Sequence, residues 1–396
     1  MLRSKNEKTP FLSPWPVFPE EAVERVSAVL SSGKVNYWTG QECRLFEQEF
    51  AAYIGTRYAI AVANGSVALE LALHALGINS GDEVVTTCRS FIATASSIVL
   101  RGAKPVFAEV DPVSQNITAE TISQVLTPRT KAIIVVHLAG WPCEMDPILE
   151  LANRHGIPVI EDCAQAHGAT YKGRKVGSFG DIAAFSFCQD KIMTTGGEGG
   201  MITLNDEQLW QRAWAYKDHG RSYDAVYHRH HPPGFRWLHE SFGTNWRMTE
   251  MQGTLGRWAL TQMEGWLEAR RCNAKALGEQ FRSIEAVRIG NPPEYMKHAY
   301  YKYYVFLQPE KLKPDWNRQR LMQVLSDSKV PVFSGGCAEI YLEQSFQQAG
   351  LAPQTRFPVA RKLGDTSLMF LVHPTITDTE MAAMCRCIGE VFTAAC

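Results

Sequence analysis

The chain has 396 residues, of which 45% are apolar and 20% charged, with a formal net charge of −1. That length exceeds what one hydrophobic core usually supports, so two domains are expected, residues 1–255 and 256–396. The composition is that of a soluble globular protein. The charge is balanced, no cationic block occurs and no apolar run reaches spanning length, so neither nucleic acid nor membrane is an expected partner. The opening stretch MLRSKNEKTPFLSPWP has no apolar signal core, and a cytoplasmic location is expected. Ten cysteines are scattered without a CxxC pair, which favours free thiols over a disulfide framework or a zinc site.

Short β-branched runs alternate with helical stretches along the first two thirds of the chain. Tyr58–Ala63 reads as a buried strand, followed by an apolar helix over Val67–Leu76. Glu83–Thr87 reads as a strand and Phe91–Leu100 as a helix. Pro105–Val110, Ala132–Leu138, Pro158–Glu161 and Ile182–Phe187 continue the strand series, with a helix over Asp146–His155 among them. Strands that are apolar throughout suit a sheet covered on both faces. The expected fold is therefore α/β, with a mostly parallel central sheet. The segment Tyr223–Trp237, with HRHHPPGFRW, breaks all periodicity and reads as a long loop. A long helical stretch over Thr249–Asn273 reads as a connector into a smaller C-terminal α+β domain.

Three segments place polar groups where strands of a parallel sheet end, the usual ligand crevice of such folds. The first is Asn64-Gly65-Ser66-Val67, opening a helix. Its free N–H groups and the positive end of the helix dipole suit a phosphate, and a plain N-cap by Asn64 or Ser66 is the competing reading. The second is Glu161-Asp162, ending a strand. A carboxylate there could pair with the protonated ring nitrogen of a cofactor, or could cap the next turn. The third is FSFCQDKIMTTGGEGGM, residues 185–201, in which Lys191 stands in a polar turn before glycines 196–200. A lysine that forms an imine needs access to a ligand, and glycines let backbone pass close to a bulky group. A solvated surface lysine is the plain alternative. Together the three segments supply the parts a pyridoxal-phosphate (PLP) enzyme needs.

From about Pro14 to Arg257 the sequence resembles the sugar aminotransferase family called DegT/DnrJ/EryC1/StrS, of PLP fold type I. The landmarks include ANGSVALELALHALGINSGDEVV, VIEDCAQAHGATYKGRKVGSFGDIAAFSF, KIMTTGGEGGM and TNWRMTEMQGTLG. The resemblance implies PLP as cofactor and Lys191 as the residue that holds it covalently and carries the proton. It implies Asp162 at the pyridine nitrogen, Gln165 near the phenolate oxygen and Phe91 stacked on the ring. Gly65, Ser66, Val67 and Ser186 are implied at the phosphate. Asn245 is implied to reach the phosphate in a neighbouring subunit, hence a homodimer with shared active sites. The implied substrates are an amino-acid donor, glutamate by family habit, and a keto- or aldehydo-sugar acceptor.

Two departures bear on the acceptor. Cys188-Gln189 stands where the family often has His-Pro. The Arg–His-Tyr segment of many nucleotide-sugar members is replaced by VPVFSGGCAEIYLEQSF, residues 330–346. That stretch resembles the branch that aminates an oxidised octulosonate to an 8-amino sugar acid. The alternatives are a PLP-dependent sugar dehydratase or epimerase, a non-catalytic PLP-binding regulator, and a nicotinamide-dependent oxidoreductase. The first is opposed by Lys191, which that dehydratase branch replaces with histidine. The second is opposed by the intact Lys191, Asp162 and Gln165, and the third by the missing GxGxxG after the first strand. His228, His230 and His231 read as a solvated loop rather than a metal site. Tyr37 and Trp38 could border the sugar or simply pack.

Overall fold

The computed structural model describes residues 12–396. A seven-stranded sheet runs in the spatial order Tyr58–Val62, Gly200–Leu204, Ile182–Ser186, Val159–Asp162, Thr130–Val136, Glu83–Thr87, Lys104–Ala108. Five of these strands pair in parallel from Ile182–Ser186 to Lys104–Ala108. Gly200–Leu204 is antiparallel to both of its neighbours. The sequence reading missed this strand because its glycine-rich approach masks a run of only five residues. Gly200 has a steric reason: a Cβ there would come within 2.3 Å of the Asn64 carbonyl oxygen.

Successive side chains leave a strand on opposite faces, and the sheet uses both. Ile60 and Val62 join Leu69, Leu73, Ile98 and Trp214 in one apolar cluster. Ala59 and Ala61, from the same strand, join Phe46, Phe50, Phe185 and Leu267 in another. Each such buried aliphatic or aromatic side chain contributes about 1.5–3 kcal/mol relative to exposure. Burial on both faces is why these strands read as continuous apolar runs.

Helix Glu250–Arg282 opens on a reciprocal cap between Thr249 and Gln252. It has 33 residues and is thus about 50 Å long. Trp258, Met263 and Leu267 pack under the large sheet. Its last turns, with Leu277 and Phe281, pack beside a second, antiparallel sheet and the C-terminal helix Asp378–Ala395. That sheet has the order Val287–Ile289, Tyr303–Leu307, Ser367–Phe370, Val332–Phe333. No helix among the described residues is long and apolar enough to cross a membrane.

Two local expectations need correction. The stretch expected to be all loop opens with a helix, Tyr223–Tyr227, capped by the Ser222 side chain; the loop proper follows it. The helix expected from Phe91 begins at Ala93, which leaves Phe91 outside it with 66% of its surface exposed.

Glu161 is fully buried, and its carboxylate organises one end of the sheet. It accepts from the N–H groups of Gly177, Phe179 and Gly180 at 2.7–2.8 Å and from His137 Nε2 at 3.0 Å. Burial pushes its pKa up, but His137 and these N–H groups outweigh that and hold it below the usual carboxylate range. Cys163 completes a compact trio with His137 and Glu161, yet the trio offers a metal little. His137 Nδ1 accepts from the Cys143 N–H at 2.9 Å, so Nε2 carries the proton donated to Glu161. Glu161→Ala would orphan three buried N–H groups and His137, lowering the unfolding free energy by about 3–5 kcal/mol in urea titrations.

His167 lies between Phe185 and Phe187, with ring centroids 5.6 Å away on each side. Burial, with Lys191 nearby, lowers its pKa to about 3. The unfolded chain takes up this proton near pH 6.5 while the native protein stays neutral. Stability is therefore lost as pH falls below about 6.5, by about 2 kcal/mol at pH 5 from this residue. Urea titrations at pH 7.5 and 5 should show a smaller loss in His167→Phe than in the unsubstituted protein.

Candidate active site

A cavity of about 850 Å³ is lined by residues that follow the strand ends. Asn64–Val67 follow the strand Tyr58–Val62, Ser90, Phe91 and Thr94 follow Glu83–Thr87, and Asp162 ends Val159–Asp162 with Gln165 just beyond it. Ser186 and Lys191 come from the end of Ile182–Ser186 and the turn after it. Eight of the nine residues expected at the site thus meet in one cavity. Asn245 does not line it; it is exposed and makes a strand-like bridge with Asp218.

The turn that carries Lys191 is pinned at several points. The Lys191 carbonyl accepts from Trp15 Nε1 at 2.9 Å, and its N–H donates to the Cys188 carbonyl at 3.1 Å. The Thr194 hydroxyl donates to the Phe187 carbonyl at 2.9 Å and Thr195 to the Glu198 carbonyl at 2.6 Å. Between them Gly196 and Gly197 adopt φ of 90° and 122°, which side-chain-bearing residues rarely adopt. The Lys191 ammonium reaches over the Tyr301 ring, 4.9 Å from its centroid.

Asp162 is buried, with one oxygen accepting from the Thr94 hydroxyl at 2.8 Å and the other from the Ala164 N–H at 3.1 Å. Burial raises its pKa, and Thr94, Ala164 and Lys191 offset this only in part. A buried carboxylate left short of positive charge at a cavity wall suits a cationic ring N–H. Gln165 turns its oxygen to the Ala139 N–H at 2.9 Å, which leaves its NH₂ end for a ligand.

At the start of the helix Gly65–Ala75 the cap is observed and the amides before it bear on the phosphate reading. Asn64 Oδ1 accepts from the Val67 N–H at 3.1 Å, so Asn64 is the cap and the Val67 amide is committed to it. The Gly65 and Ser66 amides carry no capping bond and are left to meet an anion. A Cβ on Gly65 would sit 2.5 Å from Ser186 Cβ, so only glycine lets the turn come this close to Ser186. Unbonded amides, a serine hydroxyl, a carboxylate, an amide NH₂, an exposed Phe91 and a lysine together fit a phosphorylated pyridine aldehyde.

Tyr37 and Trp38 stand apart from the cavity. Tyr37 is buried and donates to Glu47 at 3.1 Å, and Trp38 packs edge-on against Trp214. His231 bonds the Ala225 carbonyl at 2.6 Å and His228 faces Asp224. Sequence reasoning did not single out Thr94, Asp190, Tyr301, Lys302 or Tyr304, all of which line the cavity; from the stretch 330–346, which it did single out, Phe333, Gly335, Gly336 and Cys337 line it too. A lysine set among four tyrosines, Tyr300-Tyr301-Lys302-Tyr303-Tyr304, was the available signal.

The sequence profile of the DegT/DnrJ/EryC1/StrS aminotransferase family matches residues 17–389. Among solved structures, an aminotransferase from Psychrobacter cryohalolentis is 56% identical, covering 97% of this chain and 99% of that one with a TM-score of 0.95. DesV from S. venezuelae, solved with a ketimine intermediate, is 29% identical over 93% of this chain and 94% of its own, with a TM-score of 0.83. The GDP-perosamine synthase of Escherichia coli O157:H7 is 33% identical, covering 89% of this chain and 91% of its own. The chain belongs to the DegT/DnrJ/EryC1/StrS aminotransferase family and is a PLP-dependent aminotransferase of fold type I.

Proposed function

We propose that this enzyme moves an amino group from an amino acid, glutamate first, to a keto- or aldehydo-sugar. The convergence of Lys191, Asp162 and Gln165 on one cavity carries this reading. The relatives named for sugar transamination support the acceptor class. Bound PLP supplies an electron sink for the carbanion formed at the amino-bearing carbon. Lys191 would hold the cofactor covalently, and its free Nζ would be the base that takes the donor's proton. Asp162 would keep a proton on the ring nitrogen, Gln165 would donate to the phenolate oxygen, and Phe91 would cover the ring face. The Gly65 and Ser66 amides and the Ser186 hydroxyl would hold the phosphate. Asn245 serves the second copy's site in a homodimer, a role supported by its exposure and by exposed aromatics nearby, Trp237 and Phe242.

The acceptor is a nucleotide-linked keto-sugar, a class supported by the GDP- and dTDP-linked amino sugars in two relatives' names. A second reading, an 8-oxo-octulosonate aminated to the 8-amino sugar acid, draws on residues 330–346. Phe333, Gly335, Gly336 and Cys337 of that stretch line the cavity, where the nucleotide-sugar members have a different segment.

The visible absorption of the purified holoenzyme tests the reaction class. Glutamate should convert the lysine-bound cofactor band to that of the amine form and release an oxo-acid. Lys191→Ala should still bind PLP non-covalently, with turnover reduced by about 10²–10⁴ or more. Asp162→Asn, which cannot hold the ring proton by charge, should retain the covalent band and lose about two to three orders of magnitude in kcat. A band that glutamate leaves unchanged would remove glutamate as donor.

A further inference from the structure

The cavity wall carries three carboxylates, Asp162, Asp190 and Glu198, and two cations, Lys191 and Lys302. Lys191 is committed to the cofactor. Lys302 is then the one cationic side chain left on that wall among the described residues. Its position is defined by the residue before it. Both ammonium groups approach the Tyr301 ring, Lys191 Nζ at 4.9 Å and Lys302 Nζ at 4.6 Å from its centroid. The Tyr301 hydroxyl donates to Asp190 Oδ2. Lys302 Nζ stands 3.6 Å from that same oxygen, beyond hydrogen-bond length. Asp190 therefore faces Lys302 through charge without a hydrogen bond of normal length, and the ammonium keeps its hydrogens for another acceptor.

Burial is what makes this arrangement unfinished. The Lys302 side chain is only 15% exposed, and burial lowers its pKa although Asp190 opposes the shift. A half-buried ammonium with one loose carboxylate neighbour gains most from a second anion. Every amino acid that enters this cavity brings one.

We propose that Lys302 binds a carboxylate of the amino donor and of the oxo-acid it becomes. The assignment rests on the transaminase reading and adds to it the group that orients the donor. The ring shared by the two lysines sets the reach: the donor nitrogen arrives where Lys191 ends, and its carboxylate turns across Tyr301 to Lys302. Asp190 and Tyr301 act as positioning residues.

The test follows the glutamate half-reaction of the holoenzyme by absorbance, in the unsubstituted protein, Lys302→Met and Lys302→Arg. Loss of one charged contact to the donor should raise the glutamate concentration for half-maximal rate by about tenfold or more. The limiting rate should change much less, the covalent cofactor band should persist, and Lys302→Arg should recover most of the loss. Glutarate should compete with glutamate in the unsubstituted protein and at least tenfold more weakly in Lys302→Met. L-glutamine, which keeps only the α-carboxylate, tells which carboxylate is held. An equal penalty with both donors means the α-carboxylate, and a penalty with glutamate alone means the side-chain carboxylate. Unchanged half-saturation in Lys302→Met, with the unsubstituted enzyme responding normally, overturns the assignment. An unsubstituted enzyme that does not respond to glutamate overturns the donor reading, and the assignment with it.

Discussion

Two adjacent carboxylates at the end of one strand are the constraint on which the site depends. Strand alternation sends Glu161 and Asp162 to opposite sides. Glu161 turns inward to a charge-assisted cage of three backbone N–H groups and His137. Asp162 turns to the cavity, where it has two donors and a raised pKa. The first arrangement is satisfied within the protein and the second is not. Because Glu161 fixes the strand end and the loop at 177–180, Asp162 has little freedom to relax its own shortage by moving. A ligand with a cationic N–H relieves it.

The same logic of local satisfaction separates structure from site elsewhere. Asn64 spends its side chain on the Val67 amide and completes the helix start, while the two amides before Val67 stay unbonded. His137 spends both ring nitrogens, so its trio with Glu161 and Cys163 is a folding device. In each case the question is which polar groups the chain itself leaves short, and the answers converge on one cavity.

The cofactor side of that cavity was legible in the sequence because it lies on short, contiguous turns after strands. Ser66, Asp162 and Lys191 each sit within a few residues of a recognisable apolar run, so strand periodicity places them without knowledge of tertiary contacts. Phe91 was legible as a position but not as an exposed one, since its helix starts two residues later than the pattern suggests. Strand Gly200–Leu204 was lost behind its glycines. Asp190 could be read only as a neighbour of Lys191; its partner Tyr301 lies 111 residues away, and no local pattern joins the two. Trp15 is 176 residues from the Lys191 carbonyl it holds.

This difference has a physical origin in how the two walls are built. The cofactor wall is the edge of a sheet buried on both faces, where a change of register would misplace every side chain at once. The facing wall comes from residues of the smaller sheet and its loops, including Tyr301, Lys302, Phe333, Gly335, Met369 and Leu371. Gly335 has φ of 99° there, and a Cβ would meet the Tyr304 ring at 2.6 Å. The Gly336 N–H donates to the Tyr304 hydroxyl oxygen at 2.9 Å. A loop whose contacts lie within the smaller domain, Tyr304 to Gly336 and Ser367 to Ser334, can change sequence and shape without disturbing the large sheet, whereas Asp162 cannot move without its strand. The facing wall is thus built apart from the strand that carries Asp162, and the two can change independently.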